Sequence, residues 1–408
     1  MPMSKPMSYD SLRTIVYQAD PNFRIHLSQK IPSIQRTDKA VPLRLENLDI
    51  LPEKIVINGT SYSMEIMEFH PNSTPKLRSI TNWREPSRPP FEVDKYGLRI
   101  YGGAENLTLG DVKLGDVQEV DEEEHLQELR EEVGRCERLI LDYDDQSMKN
   151  HYEARAEFKR NLIKKYLRRS EGRAPRFRYF MVFKTSVSQE ILEYDGNLSI
   201  ALKYMSQKLL EARVTIEVKN LYLESGLVPI LRLPESIKFK VENLDVFDCQ
   251  KPLSTLEQLI FPTSFPLKAL IVDSLKNDDS EFLNSAQLLI PRWSAKPSEG
   301  HGAYSRVHYP LYPMLPRHVM DTIQSWKQEE LRDETHVSFS SNLLDIENTL
   351  KTLQKETGAI SKEGSVILPF NDDLEILCEA SQFVLPPVKH LTLEPHQFHL
   401  KVRRKHNP

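Results

Sequence analysis

The sequence predicts an α/β fold, on the border with α+β, built around a curved, solenoid-like mixed sheet with flanking helices. Three observations lead to this prediction. A Leu-containing phrase recurs four times between residues 214 and 293, apolar residues recur at helical spacing before and between its copies, and residues 121–173 are rich in charge. The chain has 408 residues, 39% of them hydrophobic, which is enough for about two or three domains with buried cores.

The recurring phrase is a polar or small residue, Leu, any residue, and a branched apolar residue. Its leucines lie 23, 26 and 18 residues apart. Because side chains alternate along a strand, each copy places two side chains on one face, and the spacing leaves room for a strand and a short helix. Such crossovers predict parallel strands. A true repeat and an ordinary α/β domain with a shared core pattern both remain open. The copies are Asn220-Leu221-Tyr222-Leu223, Asn243-Leu244-Asp245-Val246, Ala269-Leu270-Ile271-Val272 and Gln287-Leu288-Leu289-Ile290.

Residues 1–42 predict a short helical segment. Ser8 is a suitable N-cap, and a second helix is expected to start at Asp20-Pro21, where Asp can cap and Pro fits the first turn. Phe23 and Leu27 then share one face, and Pro32 is expected to end this helix because its ring disfavours helical geometry at the preceding residue. An apolar stripe at spacings of three and four runs along the first helix: Leu12, Ile15, Val16 and Ala19.

Residues 43–120 predict short strands and turns. Residues 43–50 contain the same Asn-Leu-Asp-branched phrase as residues 243–246, so we expect them to join the main sheet. The Asn58-Gly59 pair predicts a hairpin. No Gly-Lys-Ser/Thr follows the glycines of this region, which argues against a phosphate-binding loop.

Residues 121–173 predict a long charged helical insertion, with 26 charged residues in 53. Residues 121–145 carry 11 acids and 3 bases, whereas residues 146–173 carry 3 acids and 9 bases. Two interpretations remain open: a solvated helix or helical hairpin joining two parts of the fold, or a coiled coil through which the chain forms a homodimer. Apolar residues alternate spacings of three and four along the first half: Leu126, Leu129, Val133, Cys136, Ile140 and Tyr143.

Residues 174–400 predict an α/β domain that contains the recurring phrase. Helices are expected at residues 198–210, 252–260 and around 319–326 and 343–353, with strands at 366–368, 374–376 and 389–402. Residues 401–408 predict a basic tail. In the helix at 198–210 the expected buried side consists of Ile200, Leu202, Met205, Leu209 and Leu210.

The sequence predicts no enzyme, and no catalytic, cofactor-binding or metal-binding residues. None of the 12 histidines has ligand spacing, and the densest group, His390, His396 and His399, is expected in a solvated tail. A net charge of −5 argues against nucleic acid or a membrane as partner. Three distant cysteines and no signal-peptide pattern predict a reducing, cytoplasmic or nuclear location.

Seven short segments, spread over nearly the whole chain, carry a resemblance to a known family. They are Ser8-Tyr9-Asp10-Ser11-Leu12, Asp20-Pro21-Asn22-Phe23-Arg24, Lys39-Ala40-Val41-Pro42-Leu43-Arg44, Val93-Asp94-Lys95-Tyr96-Gly97, Gly110-Asp111-Val112-Lys113-Leu114-Gly115, Phe239-Lys240-Val241-Glu242-Asn243-Leu244 and Thr263-Ser264-Phe265-Pro266-Leu267-Lys268. They resemble a nematode-expanded, largely uncharacterised family with an F-box-like N-terminus and an F-box-associated C-terminal region.

The resemblance implies a substrate-recognition subunit of a Skp/cullin/F-box ubiquitin ligase. In the F-box relatives the N-terminal motif holds a Skp-type adaptor and the C-terminal domain selects an unknown protein substrate. Met7-Ser8 stands where a Leu-Pro pair commonly opens the motif. The alternative interpretation is therefore an interaction or scaffold protein with an F-box-like fold that engages no ligase. The residues expected to contact the adaptor are Leu12, Ile15, Val16, Pro21, Phe23 and Leu27.

Overall fold

The computed structural model of the chain describes residues 7–69, 77–79, 92–98, 100, 107–116, 121–174, 178–185, 188–224, 230–273, 280–292, 306–310, 316–327, 335–356, 358–362, 364–381 and 396–405. The helices are α1 Tyr9–Gln18, α2 Pro21–Lys30, α3 Pro32–Ala40, α4 Glu122–Asp142, α5 Gln146–Ser170, α6 Leu198–Leu210, α7 Ser280–Asn284, α8 Pro316–Trp326 and α9 Leu343–Leu353.

The strands are β1 Leu43–Ile50, β2 Lys54–Ile57, β3 Thr60–Phe69, β4 Leu77–Ser79, β5 Val112–Lys113, β6 Arg178–Lys184, β7 Gln189–Glu193, β8 Ile216–Glu224, β9 Ile230–Leu231, β10 Phe239–Phe247, β11 Ala269–Val272, β12 Leu289–Pro291, β13 Arg306–Tyr309, β14 His336–Ser341, β15 Ile360–Lys362, β16 Ser365–Pro369, β17 Leu374–Ser381 and β18 His396–Arg404.

One large mixed sheet organises these elements, which confirms the predicted α/β class. The strand order is β15-β16-β17-β18-β14-β13-β12-β11-β10-β8-β1-β2-β3-β6-β7, with β4 beside β3, and β5 pairs with β9 in a separate ladder. The middle strands, from β1 through β8 and β10 to β14, are parallel. Antiparallel strands extend the sheet on both sides. None of the described helices is long and apolar enough to cross a membrane.

The recurring phrase forms neighbouring parallel strands, as predicted, but its fourth copy is shifted by one residue, because Leu289 and not Leu288 lies level with Leu270. β1 pairs with β8, and Leu48 lies level with Leu221, which is level with Leu244 on β10. Leu270 on β11 continues this row. These leucines are buried in one core, which also confirms that residues 43–50 belong to the main sheet.

An asparagine ladder explains the polar first position of the phrase. Leu45 and Leu48 both point into the core although two residues separate them, so strict alternation is interrupted at residues 46 and 47. Asn220 Nδ2 donates to Asn47 Oδ1 at 3.0 Å, and Asn243 Nδ2 donates to Asn220 Oδ1 at 2.9 Å. The side-chain amides therefore satisfy one another across three strands where the apolar pattern breaks.

Two predicted helices differ in detail. The segment at 252–260 forms a 3₁₀ helix, Leu253–Leu259, in place of the expected α-helix. Helix α6 has the predicted bounds and buries four of its five predicted core residues, but Ile200 is 65% exposed. Ile200 lies beyond the edge of the apolar stripe that packs on the sheet.

Pro32 ends one helix and begins another. Helix α2 finishes at Lys30, as predicted, but Pro32 is then the first residue of α3. Proline suits this position because its missing N–H has no partner in the first turn of a helix. The sequence interpretation recognised only the helix-ending effect of Pro32.

Residues 401–404, predicted to belong to a basic tail, instead continue the sheet. Strand β18 runs to Arg404 between β14 and β17. Its apolar residues Phe398, Leu400 and Val402 are buried in the main core at alternate positions. His399, expected in a solvated tail, is buried on the opposite face, and His390 lies outside the described residues.

The charged insertion is a pair of packed helices, α4 and α5. Leu129 and Cys136 of the predicted seam are buried, and Lys159 Nζ of α5 lies 2.6 Å from Glu132 Oε2 of α4. Arg160 and Glu137 form a second pair at 2.5 Å. The acidic first half therefore neutralises the basic second half within one chain. A homodimer through these helices stays a prediction.

Candidate functional site

The first three helices form a compact unit, residues 7–41, which we call the N-terminal unit. Both predicted caps are present: Ser8 Oγ accepts from Ser11 N at 3.2 Å, and Asp20 Oδ1 accepts from Phe23 N at 2.9 Å. Val16 of α1 and Ile25 of α2 are buried, and Ile25 belongs to the main core of the sheet. Short capped helices of this kind depend on packing for stability because isolated helices of ten residues are marginal in water.

A buried ionic cluster fixes the N-terminal unit to the rest of the chain. Arg24 Nε donates to Asp38 Oδ1 at 2.9 Å, and Arg213 Nη2, which follows α6, lies 2.9 Å from Asp38 Oδ2. Arg24 also donates to the carbonyl oxygens of Val41 and Pro42, at 3.0 and 2.8 Å. Burial lowers the pKa of Arg24, and the Asp38 carboxylate opposes part of this shift. A buried charge needs such partners, so these contacts fix the orientation of the unit.

A second attachment joins α2 to the hairpin formed by β2 and β3. Asn22 Nδ2 donates to the carbonyl oxygen of Ile57 at 3.0 Å, and Tyr62 donates its hydroxyl proton to Asn22 Oδ1 at 3.0 Å. Arg44 on β1 lies 4.5 Å from the centroid of the Tyr17 ring of α1, which adds a cation–π contact. Helices α1 and α2 thus both attach the N-terminal unit to the sheet.

An apolar stripe remains on the outer side of α2. Phe23 and Leu27 are neighbours one turn apart on the helix surface, and Ile31, the extended C-cap residue of α2, follows four residues later. Phe23 is 55% exposed and Ile31 is 40% exposed, while Leu27 is half-buried. We call these three residues the α2 stripe. On α1, Ile15 is also exposed.

The six residues expected to contact an adaptor differ in accessibility. Ile15 and Phe23 are exposed, and Leu12, Pro21 and Leu27 are half-buried. Val16 is only 3% exposed, so it is a core residue that a partner does not reach. Ile31 was missed, although its spacing of four residues from Leu27 was a usable signal. The Arg24–Asp38 pair was also missed because no local pattern connects the two residues.

The outer face of the parallel strands carries charges that pair with one another. Arg44 Nε lies 3.0 Å from Glu217 Oε2, and Lys240 Nζ lies 3.4 Å from the other oxygen of Glu217. Lys219 Nζ lies 2.6 Å from Glu46 Oε1 in the next row. These rows leave little net charge to attract a charged partner to this part of the sheet.

A buried arginine lies beyond these rows, after β12. The Arg292 guanidinium is paired with the Asp245 carboxylate, and its Nε lies 3.2 Å from Asp273 Oδ1. Its carbon Cζ lies 5.0 Å from the centroid of the Phe247 ring. Because Arg292 is fully buried, these contacts compensate its charge and serve the fold.

Two buried histidines, His308 and His399, and the half-buried His336 form a polar cluster on β13, β14 and β18. His308 Nδ1 lies 2.9 Å from Ser338 Oγ, and its Nε2 lies 3.0 Å from Ser340 Oγ. His336 Nε2 lies 2.9 Å from His399 Nδ1. Burial is the main cause that lowers the pKa of His308 and His336 to about 3 and that of His399 to about 4. All three imidazoles are therefore neutral at pH 7.

The histidine cluster is poorly suited to acid–base catalysis. Ser381 Oγ lies 2.5 Å from His399 Nε2, as a nucleophile would, but a base with a pKa of about 4 has little driving force to remove a hydroxyl proton. Burial raises the pKa of the Cys378 thiol to about 12, so this thiol is not a reactive nucleophile. In the described part of the chain, no group of three or more His, Cys, Asp or Glu side chains is arranged to hold a metal ion.

Comparison with known families places a match over the middle of the chain. Residues 197–342 match the family described as Domain of unknown function (DUF3557). The match begins at Asn197, the N-cap of α6, and ends at Asn342, the N-cap of α9. It therefore covers α6 and the parallel strands from β8 to β14. Comparisons with curated proteins and with solved structures gave no match.

Proposed function

We propose that this protein is a non-enzymatic interaction protein and that it acts as a substrate-recognition subunit of a Skp/cullin/F-box ubiquitin ligase. In this proposal the N-terminal unit binds a Skp-type adaptor and the large sheet domain binds the protein to be ubiquitinated. The observation that carries the proposal is the α2 stripe, an accessible apolar row on a helical unit that Asn22 attaches to the sheet.

The size of the stripe is compatible with specific binding. Full burial of one large aliphatic or aromatic side chain contributes about 1.5 to 3 kcal/mol. Micromolar binding corresponds to about −8 kcal/mol, and a few buried anchors commonly dominate an interface. Phe23 and Ile31, together with Ile15 on α1, would supply such anchors. The buried Arg24–Asp38–Arg213 cluster supports the proposal further, because a rigid mount would hold adaptor and substrate at a fixed separation.

The alternative function is an interaction or scaffold protein that engages no ligase. It is favoured by the burial of Val16, which shows that α1 already packs part of its apolar face within the chain. In this alternative the α2 stripe contacts a partner other than a Skp-type adaptor.

The test is co-purification of the full chain with a Skp-type adaptor, using the wild type, Ile15→Asp and Phe23→Asp. Both side chains are exposed, so neither change should lower the melting temperature appreciably. If the exposed side chains lie in the interface, each substitution should weaken adaptor binding by about tenfold or more, because a buried unpaired charge is costly.

Leu141→Asp is the matched control. Leu141 is 83% exposed on α4, and its substitution introduces the same charge away from the N-terminal unit. A folded wild type that captures no adaptor would exclude the ligase function and leave the alternative. Equal loss of capture in all three variants would show that the effect is nonspecific.

A further inference from the structure

Strand β7 is an open edge of the large sheet. It pairs with β6 on one side and is the last strand of the order in the described part of the chain. All five of its residues, Gln189–Glu193, are exposed. Ile191 is 51% exposed and Leu192 is 48% exposed. Edge strands with accessible backbone and apolar side chains are templates for pairing with another chain.

Helix α6 lies beside this edge. The helix begins five residues after Glu193, and near its other end Lys208 Nζ lies 3.4 Å from Glu190 Oε1. The helix therefore runs back along β7. Lys208 Nζ also lies 5.3 Å from the centroid of the Phe183 ring on β6, which is level with Glu190. These contacts hold the helix against the last two strands.

The accessible side chains of α6 continue the apolar surface of the edge. Ile200 is 65% exposed, and Tyr204, one turn later, is 54% exposed. Lys208 follows after another turn, with Nζ 5.7 Å from the centroid of the Tyr204 ring. Leu192 is level with the core residue Met181 and so projects towards the side of the sheet that α6 covers. An added strand would thus meet apolar side chains from both the edge and the helix.

The charge of the edge selects among possible partners. Strand β7 contains Glu190 and Glu193 and no basic residue, and Asp195 follows it. Glu190 is paired with Lys208, whereas Glu193 has no ion-pair partner among the described residues. Two copies of β7 placed edge to edge would bring glutamates of both strands together, which opposes self-pairing. A basic strand would be attracted.

We propose that β7 and α6 form a docking groove for an extended, basic segment of another protein, which adds to the sheet as one more strand. Backbone hydrogen bonds to β7 supply affinity, and alternate side chains of the segment supply specificity. Its apolar residues contact Leu192, Tyr204 and Ile200, and its Lys or Arg residues on the other face contact Glu193. This groove is separate from the N-terminal unit, so the proposal does not depend on adaptor binding.

The test uses the full chain and fluorescein-labelled nine-residue peptides. One peptide alternates Val with Lys, the second alternates Val with Glu, and the third is the first with its central residue replaced by Pro. Fluorescence anisotropy should give the Val-Lys peptide a Kd of about 10 to 100 µM, typical of short strand-adding segments with few anchors. The Val-Glu and Pro peptides should bind at least about tenfold more weakly, because one is repelled and the other lacks a strand donor.

Two variants and two controls locate the binding. Tyr204→Ala should weaken Val-Lys binding by about fivefold, and Glu193→Lys should reverse the preference in favour of the Val-Glu peptide. Leu141→Ala, a change at another highly exposed apolar residue, should have no effect. Ile15→Asp should leave peptide binding unchanged, which separates this groove from the adaptor surface.

Hydrogen exchange gives a second readout that side-chain contact alone would not change. Backbone amides of Gln189–Glu193 should exchange more slowly in the presence of the Val-Lys peptide, since strand addition protects an open edge. The proposal is overturned if the peptides bind regardless of charge, if protection appears elsewhere, or if the chain dimerises through β7 and excludes the peptide.

Discussion

The Asp111 carboxylate and the Arg232 guanidinium form a buried ion pair, with Oδ2 and Nη1 2.7 Å apart. Asp111 also accepts hydrogen bonds from the backbone N–H and the hydroxyl of Thr108, at 2.8 Å each. Lys203 of α6 lies 3.1 Å from its other oxygen. Asp111 therefore joins the segment before β5 to α6 and to the residue after β9.

Replacing Asp111 by Asn should destabilise the chain by about 3 to 5 kcal/mol, because the change removes the carboxylate that pairs with the buried Arg232 and with Lys203. Chemical denaturation measures this loss. Asp116→Asn is the control: Asp116 pairs with Lys113 and Lys251 at the surface, so its loss should have little effect. Equal losses in both variants would contradict a special role for Asp111.

The stability of the fold should also fall in acid, because protonation of the Asp111 carboxylate weakens the same contacts. Burial alone would raise the pKa of Asp111, but hydrogen bonds from Thr108, Arg232 and Lys203 outweigh it and hold the pKa below its usual range. A carboxyl whose pKa is lowered on folding stabilises the fold above its unfolded pKa of about 4 and loses this contribution as pH falls further. In Asp111→Asn the melting temperature should change less between pH 4.5 and pH 3 than in the wild type.

The histidine cluster affects the stability of the fold at higher pH than Asp111 does. Burial lowers the pKa of His308 to about 3 and of His399 to about 4, whereas unfolded histidine has a pKa of about 6.5. Protons therefore bind the unfolded chain first, and stability should be complete above about pH 6.5 and decline as pH falls towards 4. The cations Arg306 and Lys401 contribute to the low values, while Glu379 opposes the shift at His399.

Thermal melts from pH 7.5 to pH 4.5 test this decline. Replacing His308 by Gln should lower the melting temperature at pH 7.5, because the hydroxyls of Ser338 and Ser340 lose their hydrogen bonds to the imidazole. The substitution should also make the melting temperature less dependent on pH. His26→Gln, at an exposed position on α2, should leave the wild-type slope unchanged. A slope that His308→Gln does not reduce would assign the acid sensitivity to other groups.

The parallel part of the sheet could be predicted because the sequence pattern that indicates each strand lies within a few neighbouring residues. The Leu-x-branched phrase fixes which side chains share a face, and the recurring Asn marks the level at which Asn47, Asn220 and Asn243 meet. The end of strand β18 is harder to predict, because its basic residues resemble a solvated tail although Phe398 and Leu400 alternate as in a strand with one buried face.

The attachment of the N-terminal unit could not be predicted in this way. Asp38 and Arg213 are far apart in sequence, and a charged residue within a helix ordinarily indicates a solvated face. Only the packing of α3 against the end of α6 makes these charges buried partners. The open edge at β7 is likewise a property of strand order, which no local pattern encodes.

Gly97 occupies a position that excludes a side chain. Its φ of +77° is strained for other residues, and a Cβ atom there would lie 2.0 Å from the Tyr179 hydroxyl oxygen. Gly97→Ala should therefore destabilise the chain by about 2 to 4 kcal/mol, since both backbone strain and overpacking contribute. Gly172→Ala is the matched control, because Gly172 has a φ of +63° but no atom within 4 Å of the added carbon. Gly172→Ala should lower the free energy of unfolding by only about 1 kcal/mol.

The turn around Gly97 also positions the charged helices. Tyr96 and Leu98 are buried against Leu129 and Tyr166 of the helix pair. In Gly97→Ala, hydrogen exchange should therefore accelerate in α4 and α5 before it accelerates in the parallel strands. Uniform acceleration across the chain would show that the turn supports the whole fold and has no special link to α4 and α5.

The asparagine ladder provides the last prediction. Asn220 is the middle member, donating to Asn47 and accepting from Asn243, so Asn220→Ala removes both hydrogen bonds and leaves two partly buried amides with lost partners. We expect a loss of about 1 to 3 kcal/mol by chemical denaturation. Asn243→Ala, which removes only the hydrogen bond between Asn243 and Asn220, should cost less stability than Asn220→Ala. If the two variants lose the same stability, the amides act independently and the ladder does not stabilise the phrase as a row.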